Sequence, residues 1–379
     1  MRVNQLHFAN NRWTDYATHP AFDAAKCRLV LAFGSPDLIA DPEVYPYLRS
    51  LFPAAEIIFS STSGEIIDDN VFDDTIAVTA IEFERSNITS ASTHVSKHEN
   101  SFEAGVHLMQ QLDKDGLKAV FIISDGTYIN GSELVAGFNS INPSQVPVTG
   151  GLAGDADRFK STFTGINSVP TEGNVIAIGF YGDSLTVAHG SCGGWDEFGP
   201  ERTITKADKN VLYEIDGKNA LDLYKQYLGD YVNELPGSAL LFPLSLKING
   251  SEENLVRTIL TIDEDEKTMT FAGNLPEGSK VRLMKANFDK LIRASSEAAA
   301  GAVADFSGQA ELAIMVSCVG RKLVLNDLTD EELTAAKEIL GANTSITGFY
   351  SYGELSPFNQ HSKCELHNQT MTITTFTEQ

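Results

Sequence analysis

The chain has 379 residues, 42% of them hydrophobic, and a formal charge of −23 from 51 acidic and 28 basic residues. That field repels a phosphate backbone, and no lysine or arginine cluster offsets it, which argues against nucleic acid and anionic membrane surfaces as partners. No apolar run is long enough for a membrane span, the first residues lack the apolar core of a secretory signal, and four scattered cysteines without CxxC argue against a zinc knuckle, a thioredoxin-type site and c-type haem attachment and suit a reducing cytoplasm.

In chain order, Leu29–Phe33 reads as a buried strand, Asp41–Leu48 as a helix entry with acidic residues in its first turn, and Ile57–Ile66 as a strand ending in Gly64-Glu65. Ile76–Phe83 is a strand, and Glu99–Leu112 an amphipathic helix with Phe102, Val106 and Met109 on one face. Ala119–Ile123 and Val148–Asp155 repeat the first layout, with Gly154-Asp155 at the end. Asn174–Tyr181 and Leu185–His189 flank Gly182-Asp183 as a hairpin would. Glycine, proline and charge then interrupt the strands between Trp195 and Tyr213, which places a domain boundary there.

Ala220–Leu228 reads as a helix stopped by Gly229, and Val256–Ile262 and Thr268–Phe271 as strands about an acidic turn, Asp263–Lys267. Phe288–Val303 is an alanine-rich helix, and Thr329–Leu340 another, with Thr329 and Glu332 spaced as a capping box. Leu312–Val316 and Ile346–Leu355 give the layout a third time, ending in Gly353-Glu354, and Thr370–Phe376 closes the chain as a strand. The expected fold is α/β (mixed α+β): two related layered domains of strand–helix–strand units, with mixed sheets and covering helices, over residues 25–205 and 213–379.

Three copies of strand, helix, strand, glycine and carboxylate imply related units that each bring a polar strand end to a shared place. Strand ends are where layered α/β proteins hold ligands, so Glu65, Asp155 and Glu354, with Tyr350 and Tyr352, are the expected pocket residues. Any one such pair, taken alone, is as well explained by a turn, and such tyrosines by a core. No nucleophile elbow, GxGxxG or phosphate loop accompanies the acids, so an enzyme built on an acidic pocket is the third-ranked reading.

The words Thr62-Ser63-Gly64-Glu65, Val148–Asp155, Asp216–Ala220, Gly348–Glu354 and Leu366–Thr372 resemble those of the FIST family, two-part sensory proteins with an N-terminal and a C-terminal FIST domain. The resemblance spans nearly the whole chain after about residue 25. It implies sensing of a small ligand in a signalling pathway. A stand-alone chain with both domains is similar to the NosP group of bacterial nitric-oxide-sensing haem proteins. That similarity implies non-covalent haem b, nitric oxide as the signal, and a histidine kinase or cyclic-di-GMP enzyme as partner in biofilm-type regulation. A homodimer is a further expectation.

His189-Gly190-Ser191-Cys192-Gly193-Gly194-Trp195 stands where FIST proteins often carry glutamine, so His189 is the expected axial ligand. Gly190 would let the macrocycle approach the backbone, Trp195 would flank it, and Cys192 is a rival thiolate ligand. His94 with His98 is read as a surface pair, and His361, Cys364 and His367 lack a fourth zinc ligand. A haem-free FIST receptor for a metabolite such as an amino acid is the alternative.

Overall fold

The structure, a computed structural model, describes residues 1–142, 146–248, 254–304, 306, 308–360 and 362–378. Its central strands are continuous apolar runs buried on both faces, as strands covered on both sides require. The first unit comprises β1 (Arg2–Ala9), β2 (Arg12–Thr18), β3 (Leu29–Gly34), α1 (Pro36–Ile39), α2 (Val44–Leu51), β4 (Glu56–Ser61), β5 (Glu65–Ile67), β6 (Asn70–Phe72) and β7 (Ile76–Glu82). The second comprises β8 (Asn87–His94), α3 (Ser101–Gln111), β9 (Leu117–Ser124), α4 (Gly131–Ser140), β10 (Val148–Leu152), β11 (Thr164–Ile166) and β12 (Asn174–Tyr181).

The third unit starts with β13 (Leu185–Cys192) and is then interrupted by an inserted module. That module holds β14 (Asp196–Asp208), β15 (Val211–Ile215), β16 (Lys218–Asn219), α5 (Ala220–Leu228), β17 (Leu244–Lys247), β18 (Leu255–Arg257), β19 (Ile259–Asp263), β20 (Thr268–Phe271) and β21 (Lys280–Lys285). The unit resumes with α6 (Phe288–Val303), β22 (Leu312–Cys318), α7 (Val319–Leu325), α8 (Thr329–Leu340), β23 (Ser345–Ser351), β24 (Gly353–Pro357), β25 (Cys364–His367) and β26 (Met371–Glu378). Asparagine side chains cap α3, α4, α5 and α6 by accepting a backbone N–H of the first turn.

Each unit builds a six-stranded sheet around one parallel pair: β3 with β4, β9 with β10, β22 with β23. The strands that follow each pair do not stay at home. β5 and β6 of unit one join the sheet of unit three, β24 and β25 of unit three join that of unit two, and β11 of unit two joins that of unit one. The three sheets are thereby linked in a ring, so strands from both halves of the chain share sheets. The module has its own eight-stranded sheet and its own apolar cluster around Leu212, Tyr224, Leu246 and Phe271.

Most helices lie within two or three residues of their sequence-expected bounds, and Asp263–Lys267 is the tip of the β19–β20 hairpin. Four details differ. β12 and β13 are not a hairpin: β12 pairs with β8 and β9, whereas β13 pairs with β26, because each strand's apolar face belongs to a different sheet. The buried face of α3 is Ala104, Gly105, Leu108 and Met109, with Phe102 and Val106 half-buried beside it. Thr329 and Glu332 form no capping box: the Thr329 hydroxyl donates to the Asn326 carbonyl at 2.5 Å, and Glu332 is fully buried against Arg321. Residues 196–208, where the sequence suggests a boundary, form the single strand β14.

Candidate functional site

The three glycine–acid segments lie against one another, although of the expected pocket residues Glu65, Asp155, Tyr350, Tyr352 and Glu354 only Tyr352 is in the lining of the nearby surface cleft. Ser63 N–H donates to the Tyr350 carbonyl at 2.8 Å, Gly154 N–H to the Ser61 carbonyl at 3.0 Å, and Tyr352 N–H to the Leu152 carbonyl at 3.2 Å. The approach is close enough that a Cβ on Gly154 would lie 2.3 Å from Ser63 Oγ.

Glu65 and Glu354 occupy matching places. Glu65 lies opposite Phe349 across the β5–β23 pair, and Glu354 opposite Gly151 across β24–β10. Glu65 accepts from the Thr62 hydroxyl at 2.5 Å and the Thr75 hydroxyl at 2.6 Å; Glu354 accepts from the Ser351 hydroxyl at 2.8 Å and Thr370 N–H at 3.2 Å. Both are buried, and burial pushes Glu65 up to about 7 and Glu354 well above the carboxylate range. These carboxyls hold the strand that leaves each unit to the strand that returns to it. In unit two the matching place, opposite Ser60, is Thr164, whose hydroxyl donates to the Asn174 carbonyl at 2.8 Å.

Asp155 therefore stands apart from the other two acids, in the loop after β10. One oxygen accepts from the Tyr352 hydroxyl, and the other accepts Lys160 N–H and Ser161 N–H, each at 3.0 Å. The loop so held carries Phe159, whose ring stacks on Tyr352 with centroids 4.4 Å apart. Tyr350 and Tyr352 are thus separated in role. Tyr350 is fully buried and donates to Glu332 at 2.7 Å, whereas Tyr352 reaches a surface cleft.

That cleft, of about 280 Å³, lies at the C-terminal ends of β9 and β10, the usual ligand position in a layered α/β fold. One wall is Gly126–Asn130, the first residue of α4, Leu152 and Phe159; the other is Asn210, Leu260 and Phe271–Gly273 of the inserted module. Asp125, fully buried, shapes the first wall by accepting Thr127 N–H at 2.8 Å, Tyr128 N–H at 2.7 Å and Gly173 N–H at 3.0 Å. The walls are joined by Asn130 Nδ2 donating to Asn274 Oδ1 at 2.9 Å and by a Lys209–Glu133 ion pair at 2.9 Å.

His189 is elsewhere, on β13 opposite Thr374 and only 4% exposed. By strand alternation it shares a face with Val187, packed into the central apolar cluster, and with Ser191, whose hydroxyl donates to the Pro357 carbonyl at 3.4 Å. The opposite face is Gly190 against α6, where a Cβ would lie 2.0 Å from the Ala298 carbonyl oxygen. Gly190 thus admits a helix backbone. Trp195 donates from Nε1 to the Gln369 carbonyl at 2.9 Å and packs with Val256, Leu291 and Leu325. Burial and Glu297, 3.3 Å away, push the Cys192 thiol up to about 11, so it is a protonated thiol at neutral pH. As packed, these residues do not fit a haem: both faces of β13 are filled by protein.

His94 and His98 bond locally, to Ser96 and Thr93. His367 is buried beside Ser356, and burial lowers it to about 4, whereas His361 lies outside the described residues. The sequence reading missed Glu332 and Arg321. Arg321 Nη2 lies 2.7 Å from Glu332 Oε2, both side chains are fully buried, and Arg321 also donates to the carbonyls of Gly193 and Leu291. The available signal was position: Glu332 falls on the same α8 face as Leu333, Ala336 and Leu340. Phe159, one aromatic in a charged loop, carried no comparable signal.

Residues 28–218 match the FIST N domain, and residues 220–357 match the FIST C domain. An uncharacterized protein of Methanocaldococcus jannaschii is 27% identical over 202 residues, which cover 49% of this chain and 38% of that protein. The chain thus spans well under half the length of that relative. FIST domains are sensory and signalling domains. No described helix is long and apolar enough to cross a membrane. With both domain matches in sequence order and together covering most of its length, the chain belongs to the FIST family.

Proposed function

We propose that this protein is a ligand-sensing signalling receptor that takes a small metabolite into the cleft between unit two and the inserted module. The observation that carries this reading is the cleft's position, at the ends of β9 and β10 with its second wall supplied by a separately cored module. A ligand touching both walls is favoured in whichever module position brings those walls together, and that bias is what a partner protein can read. The proposed reader is a histidine kinase or a cyclic-di-GMP enzyme, as the resemblance implies.

The haem and nitric oxide reading requires the protein packed on the Val187 and Ser191 face of β13 to part before His189 can reach iron, so it ranks second. Titrating haem into the purified chain and its His189→Ala and Cys192→Ala variants separates the two. The receptor reading expects broad, weak absorption that is the same in all three proteins. A sharp Soret band at one haem per chain, lost in His189→Ala, overturns the ranking. For the cleft itself, a metabolite panel read by thermal shift and then hydrogen exchange is expected to protect both Gly126–Gly131 and Asn210–Leu212. Protection confined to any other region removes the cleft assignment.

A further inference from the structure

We infer that the cleft takes a flat, uncharged aromatic or heteroaromatic molecule, stacked on Phe159; this rests on the cleft being the ligand site. The lining residues include no Asp, Glu, Lys, Arg or His. Of the charged groups near the walls, Arg257 lies against Gly273 and donates to the carbonyls of Asn274, Val256 and Leu366, and several others are committed as well. Asp125 and Asp155 are consumed by backbone N–H groups and the Tyr352 hydroxyl, and Glu133 is paired with Lys209. Arg158 pairs with Asp37 at 3.6 Å and donates to the Asp155 carbonyl at 2.9 Å. A charged group entering the cleft would lose hydration with no ionisable side chain on the lining to replace it, which a zwitterionic amino acid suffers twice.

What the cleft does offer is ring surface. Of the ten large apolar or aromatic side chains exposed among the described residues, three line this one cleft: Tyr128, Phe159 and Leu260. Phe159 is 43% exposed although one face of its ring is covered by Tyr352, at an interplanar angle of 15°. Its backbone is held at φ 50°, and that of Ala156 at φ 60°. A bulky residue in the left-handed region is costly, and it persists here because Asp155 binds the two following N–H groups and the Tyr352 oxygen accepts Phe159 N–H at 3.0 Å. The strain places an aromatic face at the cleft rather than in the core. Thr127, Asn130 and Asn210 supply neutral polar edges, and about 280 Å³ suits one fused ring system.

The test is calorimetric titration of the full chain with indole and hypoxanthine, against tryptophan and leucine. Tryptophan carries the indole ring with a zwitterionic head, so it isolates the effect of charge. The expected result is binding of at least one uncharged bicycle, tryptophan weaker than indole by about tenfold or more, and no leucine binding. Phe159→Ala is expected to weaken binding by about tenfold, with Phe159→Tyr restoring it. Ala272→Trp, which fills the cleft, is expected to abolish it. If leucine or tryptophan binds more tightly than either bicycle and Ala272→Trp removes that binding, the cleft stands and the ligand class falls. If Ala272→Trp leaves ligand binding unchanged, the cleft itself falls. Failure of both bicycles to bind at millimolar concentration also overturns the inference.

Discussion

Glu65 and Glu354 do the same thing in two units, and Asp155, which looks like the third copy, does something else. The first two are buried pins that join a departing strand to a returning one, through Thr62 and Thr75 in unit one and Ser351 and Thr370 in unit three. In unit two that task passes to Thr164, and Asp155 instead holds the loop that presents Phe159 to the cleft. Repetition in this protein marks architecture. The candidate site lies where the repeat is broken.

The comparison breaks most readily at the buried polar groups of unit three. Glu332→Ala leaves Arg321 fully buried without its carboxylate, and is expected to cost about 3–5 kcal/mol in urea unfolding. A loss below about 1 kcal/mol would mean that water or another group replaces Glu332, and that this unit is not held by its buried ion pair.

Next come the pins. Glu65→Ala and Glu354→Ala each strand buried donors and are expected to cost about 1–3 kcal/mol, whereas Asp155→Ala frees N–H groups of a surface loop and is expected to cost about 1 kcal/mol or less. Its mark should be faster proteolytic nicking within residues 156–161. Equal losses for all three would restore Asp155 as a third structural copy.

The comparison extends last to pH dependence. Burial raises Glu65 from an ordinary value of 4.5 to about 7 and raises Glu354 in the same direction. Between about pH 4.5 and 7 the folded chain keeps protons that the unfolded chain releases, so these groups make stability fall as pH rises, by up to roughly 1.4 kcal/mol per pH unit for each. Below that window both states are protonated and the contribution is constant. Glu65→Gln with Glu354→Gln is expected to flatten the slope, because an amide keeps the hydrogen bonds without an ionisable proton. Melting temperatures across pH 5 to 7 distinguish the double variant from the parent protein.

The sequence by itself determined many of the helices and central strands, the order of the units and their threefold repetition. Helix bounds such as Phe288–Val303 and the strands about Asp263–Lys267 follow from periodicity, caps and turn residues, which act over a few neighbours. Which sheet each strand joins was decided only by tertiary structure, because exchange among the three units pairs residues hundreds of positions apart. Burial was decided there too. His189 presents the same letters whether it faces solvent or the buried face of β13 that carries Val187, and Glu332 reads as a cap until Arg321, Tyr350 and Ser317 arrive from other elements. The role of an ionisable side chain is set by the dielectric and the partners around it, and in a fold that exchanges strands those come from distant parts of the chain.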